Sequence, residues 1–194
     1  GQDPAVIGGN DRRFGILGLG RMAQALLLPL LESGDLQAED VRGVVGRRSS
    51  AERLSASLGI SVATDPEAAW RAPVVLLAVK PQQLPALAQT LTALEPAAAA
   101  AEVAGARRLL ISVLAGVSLS RLQGLFPTSV CVRAVPNTPA LVRAGLTALA
   151  WGEGIEPSRQ AWVRALFARV GEVMELPETQ LDAFLALTSS GPAF

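Results

Sequence analysis

The chain has 194 residues, half of them apolar and 18% charged, which suits one domain with a sizeable core, or one domain and part of a second. Seventeen basic residues balance seventeen acidic ones, so no net field draws the chain to nucleic acid or to a membrane surface. There is no histidine and no tyrosine, which excludes a histidine general base, a histidine zinc site and a tyrosine-based reductase; the single Cys131 excludes an internal disulfide framework.

The start, GQDPAVIGGNDR, lacks the basic-then-apolar order of a signal peptide. Residues 1–11 read as a polar leader or an expression remnant outside the fold. No run reaches the roughly 18 uninterrupted apolar residues of a membrane span. A single cysteine fits a reducing compartment, so a cytoplasmic location is expected.

Phe14-Gly15-Ile16-Leu17 reads as a buried strand. Gly18 and Gly20 follow with the spacing G-x-G, and Ala23 completes G-x-G-x-x-A. Met22, Leu26, Leu27, Leu30 and Leu31 then recur at helical spacing. Strand, glycine turn and helix form the context of a dinucleotide site. Gly18 permits the tight turn, Gly20 lets a pyrophosphate approach the backbone, and Ala23 lets helix and strand pack closely. The phosphates are expected on the free N–H groups at the helix start. That helix should end at Ser33-Gly34, with a kink or a weakened last turn at Pro29.

A second strand is expected over Val41–Val45, and Ser49 or Ser50 is expected to cap a helix through Leu58. Dinucleotide folds that take NAD usually carry an acidic residue at the end of this strand, for the ribose 2′-hydroxyl. Gly46 stands there instead, followed by Arg47, Arg48 and Ser49. Guanidinium groups bind a 2′-phosphate that a carboxylate would repel, so NADP(H) is expected over NAD(H). An ordinary solvated helix start would carry the same arginines.

Gly59 to Ala63 reads as a short third strand, and Asp65-Pro66 as the N-cap and first residue of a brief helix. Pro73 to Val79 has the continuous apolar pattern of a strand buried on both faces of a parallel sheet. It ends at Lys80-Pro81, a place where open α/β sheets bind ligands, although a solvated lysine at a strand end looks the same. A helix over Gln83–Leu94 and an alanine-rich tract over 96–106 lead to a strand at Leu109–Gly116. Ser118 should cap the next short helix. Ser129 to Val135 is a strand, with Cys131 as a buried small hydrophobe, and Pro136-Asn137-Thr138-Pro139 forms a rigid loop beyond it. Ala144–Trp151, a helix from Pro157 to about Val170, a strand at 171–176 and a helix after Pro177 complete the pattern. Pro192, after Ser-Ser-Gly, reads as a new helix start. No base is available to activate Ser189 or Ser190, so a structural joint is expected there.

Five segments carry a family resemblance: Ile16–Ala23, Leu77–Gln82, Ser112–Val117, Arg133–Pro139 and Ser189–Phe194. Together the chain resembles pyrroline-5-carboxylate reductase from about Arg12 onward. The resemblance implies an α/β fold: a Rossmann-like, doubly wound, mostly parallel sheet over residues 12–176. Residues 177–194 would begin an all-helical dimerisation and substrate domain that is incomplete here. It implies hydride transfer from NADP(H) to the C=N carbon of 1-pyrroline-5-carboxylate, giving L-proline. Such a reaction needs mainly alignment and exclusion of water.

By position, Leu17, Gly18, Leu19, Gly20, Arg21, Met22 and Ala23 would wrap the pyrophosphate. Arg47, Arg48 and Ser49 would hold the 2′-phosphate. Asp65 falls near the adenosine, where the family often has asparagine. Ala78, Val79, Lys80 and Pro81 would line the cofactor, with Ala115 and Asn137 near the nicotinamide. No catalytic residue and no metal ligand is assigned, and turnover by this chain alone is expected to be poor. A homo-oligomer through the missing helical part is expected. Two other classes stay open: another Rossmann imine reductase or β-hydroxyacid dehydrogenase-like enzyme, and a non-catalytic NADP(H)-binding module.

Overall fold

Eight short segments, most of them apolar, align into one sheet in the computed structural model, which describes residues 11–95, 107–136 and 145–190. The strands are β1 (Phe14–Leu17), β2 (Val41–Val44), β3 (Ser61–Ala63), β4 (Val74–Leu77), β5 (Arg108–Ser112), β6 (Ser129–Pro136), β7 (Gly145–Trp151) and β8 (Gly171–Glu175). Their spatial order is β3-β2-β1-β4-β5-β6-β7-β8. Every pair is parallel except β6 with β7. The chain works outward from β1 to β3, then crosses back to β4 on the other side. That places the topological switch point between β1 and β4, where open α/β sheets form a ligand crevice.

The helices are α1 (Arg21–Ser33), α2 (Arg48–Leu58), α3 (Glu67–Trp70), α4 (Leu84–Thr92), α5 (Leu119–Leu125), α6 (Pro157–Ala168) and α7 (Leu181–Ser190). Alternation along the strands sends side chains to both faces. Phe14, Ile16, Val74 and Leu76 meet Leu26, Leu30, Leu54 and Phe167 on one face. Leu17, Val75 and Leu77 meet Trp70, Leu84, Leu122 and Phe126 on the other. All four residues of β4 are buried, as the unbroken apolar run requires. Each such side chain contributes about 1.5–3 kcal/mol by leaving water. A third cluster joins Val135, Ala148 and Ala150 to Leu181 and Phe184, so the start of α7 packs on the same sheet. At the amino-terminal edge Arg108 lies 3.7 Å over the Trp70 ring and donates to Glu95 Oε1 at 3.0 Å, an acceptor it shares with Trp70 Nε1.

Several boundaries differ from the sequence expectation. Neither Ser49 nor Ser50 caps α2: Arg47 is its extended N-cap, without a side-chain cap bond, and both serines lie in the first turn. The third strand begins at Ser61 because Gly59 closes α2 with φ 70°, and Ser55 Oγ donates to Ile60 O at 2.7 Å. The brief helix α3 starts at Glu67, one residue late, although Pro66 already has helical backbone and Asp65 Oδ1 accepts the Glu67 amide at 3.0 Å. Helix α1 continues through Pro29 and closes on Gly34 with φ 81°. Ser118 caps α5 as expected, accepting the Arg121 amide at 3.1 Å. Ser189 and Ser190 fall inside α7. The alanine tract, Asn137-Thr138-Pro139 and residues 191–194 lie outside the described residues.

Candidate functional site

Parallel pairing brings the carboxyl ends of β2, β1, β4 and β5 into one row, level with the middle of β6. Val44, Leu17, Leu77, Ser112 and Arg133 are successive register partners across β2, β1, β4, β5 and β6. The loops that leave this row begin in step. Gly18 N–H donates to Val44 O at 2.9 Å, Ala78 N–H to Leu17 O at 2.8 Å, and Val113 N–H to Leu77 O at 3.1 Å. Most of the sequence-predicted residues therefore share one edge. Leu17–Ala23 follow β1, Arg47–Ser49 follow β2, Ala78–Pro81 follow β4, and Ala115 follows β5.

The two glycines of the turn differ in kind. Gly18 has φ +93°, and a Cβ there would stand 2.6 Å from Ala78 O. It is required by conformation and by contact. Gly20 has extended backbone, and its Cβ position has no neighbour within 4 Å. That open space lies directly over the first turn of α1, which has no side-chain cap and no acidic residue. A phosphate fits there, because the first amides of a helix lack internal acceptors and the dipole favours an anion. Ala23 is buried against the sheet, while Arg21 and Met22 are exposed. Gln24, which the sequence reading passed over, holds the loop by donating from Nε2 to Leu19 O at 2.8 Å.

Arg47, Arg48 and Ser49 are exposed beside the crevice. Neither arginine forms an ion pair among the described residues, so both guanidiniums are available to a ligand. Gly46 leaves the place of the usual carboxylate open, with nothing within 4 Å of its Cβ position. Asp65 follows β3 at the same edge, two residues past Ala63, the register partner of Val44, and its Oδ1 accepts the Glu67 amide at the start of α3. Ala78 and Val79 are half-buried, whereas Lys80 and Pro81 are exposed. Ala115 and Gly116 are exposed, Gly116 with φ +74°, between buried Leu114 and Val117. Asn137 lies outside the described residues.

Two polar residues at this edge escaped the sequence reading of the site. Arg133 is buried on β6, and its Nη1 donates to Glu178 Oε2 at 3.2 Å. The signal was a charge inside the otherwise apolar run from Val130 to Val135. Cys131, two residues earlier, is buried as expected, and desolvation pushes its thiol up to about 12. Of two further cavities, one of about 270 Å³ opens at the amino-terminal edge, and one of about 840 Å³ lies beside α5 and reaches Leu119 and Ser120 at its start. The first is lined by Arg13, Phe14, Asp35 and Trp162, the second by Arg107, Gln123, Trp151 and Glu153. Among the described residues no helix is long and apolar enough to cross a membrane.

Residues 13–116, more than half of the chain, match the family model described as NADP oxidoreductase, coenzyme F420-dependent. A pyrroline-5-carboxylate reductase of Synechocystis sp. is 41% identical over 186 residues, spanning 94% of this chain and 65% of the relative. One of Mycobacterium tuberculosis is 39% identical, spanning 94% and 61%. The solved pyrroline-5-carboxylate reductase of Coxiella burnetii superposes with a TM-score of 0.80 at 27% identity, over 93% of this chain and 65% of that one. The chain thus spans 61–65% of the length of these relatives. It belongs to the NADP oxidoreductase, coenzyme F420-dependent family and is a relative of the pyrroline-5-carboxylate reductases.

Proposed function

We propose that this chain is the NADP(H)-binding part of a pyrroline-5-carboxylate reductase, which reduces 1-pyrroline-5-carboxylate to L-proline. The observation that carries this is the placement, at one sheet edge, of the open Gly20 turn and of two exposed arginines after β2 that form no ion pair among the described residues. Relatives named for that reaction, at up to 41% identity, support it.

NADPH, when bound, supplies the hydride for the C=N carbon; the protein supplies binding and alignment. Leu17–Ala23 hold the pyrophosphate through backbone amides and the α1 dipole. Arg47 and Arg48, with Ser49, hold the 2′-phosphate by charge-assisted bonds. Ala78–Pro81 and Ala115 flank the far end, with Asn137 assigned there by resemblance, and Asp65 lies at the adenosine side. No catalytic residue is assigned. Residues 12–176 are taken as the cofactor domain and 177–194 as the beginning of the helical substrate and dimerisation part. A homo-oligomer in the cytoplasm is the expected setting.

Fluorescence titration with NADPH and NADH tests the cofactor half, and NADPH oxidation with the cyclic imine tests the reaction. Tighter binding of NADPH than of NADH is expected. Equal affinity would overturn the role of the arginines, and imine-independent oxidation would overturn the substrate.

A further inference from the structure

Arg133 occupies an unusual position for a charge. Its side chain is only 4% exposed, in a strand whose eight residues are all buried. Nε and Nη2 are buried without a hydrogen-bond partner among the described residues. Among the described residues the guanidinium is therefore held by Glu178 alone, through Nη1 to Oε2 at 3.2 Å. Desolvating a guanidinium costs several kcal/mol, and an apolar residue of similar shape would avoid that cost. Stability alone does not account for an arginine here.

The partner's other contact does. The same Glu178 Oε2 accepts the Leu119 amide at 2.6 Å. Leu119 is the first residue of α5, three residues after Gly116. The exposed Ala115-Gly116 loop is thus held at both ends. On the β5 side, Ser112 Oγ accepts the Leu114 amide at 3.3 Å, and Ser112 is the register partner of Arg133 itself. On the α5 side Glu178 holds Leu119, and Arg133 holds Glu178.

The row of strand ends says which half of the ligand this loop faces. The arginines follow β2, and the Ala115 loop follows β5, three strand spacings or about 14 Å away. A dinucleotide with its 2′-phosphate at Arg47 and its pyrophosphate at Gly20 extends across the switch point toward β5. We propose that Arg133 is a positioning residue: through Glu178 it fixes the Ala115-Gly116 loop, and so the grip on the nicotinamide half of the cofactor. This rests on the NADP(H) assignment above.

Two probes of different length separate the halves: NADPH, and 2′,5′-ADP, which carries only the adenosine end. Both are titrated against the 194-residue chain and its Glu178→Gln, Arg133→Met and Arg133→Lys variants. Glu178→Gln should weaken NADPH at least about fivefold while leaving 2′,5′-ADP within about twofold. Arg133→Met should do the same or more, Arg133→Lys should recover part of the loss, and a variant combining Glu178→Gln with Arg133→Met should be no worse than the worse single one. A loss of both ligands together in Glu178→Gln, or of neither, overturns the inference. If Arg133→Met does not fold, the part-exposed Glu178→Gln decides alone. Failure of the unaltered chain to bind either nucleotide overturns the cofactor assignment and this inference with it; normal binding that Glu178→Gln leaves unchanged overturns this inference only.

Discussion

A Cβ on Gly18 would stand 2.6 Å from the carbonyl oxygen of Ala78, so the turn after β1 and the exit of β4 touch backbone to backbone. Gly18→Ala must push these apart and also hold a side chain at φ +93°. The left-handed strain costs about 1–2 kcal/mol and the overpacking about 1–3 kcal/mol. Urea unfolding is expected to show a loss of about 2–4 kcal/mol, accompanied by loss of nucleotide binding. A variant as stable as the parent would mean that the two loops are not in contact.

Gly20→Ala should separate stability from binding. Its backbone is extended and its Cβ position is empty, so the folded state accepts the methyl group. Removing glycine from the unfolded chain then leaves stability unchanged or raised by about 0.4–1 kcal/mol. The methyl group occupies the space proposed for the pyrophosphate, and NADPH affinity should fall about tenfold or more. Undiminished affinity would move the phosphate site elsewhere.

Arg47→Ala and Arg48→Ala should each weaken NADPH and leave NADH nearly unchanged. Both side chains are exposed and outside any ion pair among the described residues, so stability should stay within about 0.5 kcal/mol of the parent. Loss of one charge-assisted phosphate contact corresponds to about tenfold in Kd. Parallel loss of NADH affinity would show that the arginines do not read the 2′-phosphate.

Cys131 gives the fold an alkaline limit. Burial raises its folded-state pKa to about 12, above the unfolded thiol value of about 8.5. A raised folded pKa contributes stability that is full below the unfolded value and is lost as pH rises through the folded one. Urea midpoints should therefore decline above about pH 8.5, by at most about 1.4 kcal/mol per pH unit. With no tyrosine and Lys80 as the one lysine, few other side chains titrate in that window. Cys131→Ala should flatten the decline; an unchanged slope would assign it to other groups.

Most of the sheet was legible because its strands are apolar runs bounded by glycine, proline and serine, and β4 in particular has no polar interruption. The glycine turn was legible because conformation restricts residue choice at Gly18. Cap positions were less so. Ser49 and Ser50 look like caps, but Arg47 is the extended N-cap and the helix begins at Arg48, which puts both serines in the first turn. Asp65 shows the converse: its capping chemistry was legible, and its Oδ1 accepts the Glu67 amide. The Arg133–Glu178 link was hidden because its partners are 45 residues apart and depend on the antiparallel turn-back after β6. Local pattern carries no information about which distant carboxylate reaches a buried guanidinium.

The composition of this sheet edge has a practical consequence. Lys80 is the chain's one lysine, is exposed, and sits where β4 opens onto the crevice. An amine-directed acylating reagent therefore has a single internal target, and that target lies at the mouth of the site. Mass spectrometry of the labelled chain becomes an occupancy gauge: a nucleotide seated along the row of strand ends shields one peptide, without any engineered tag or fluorophore.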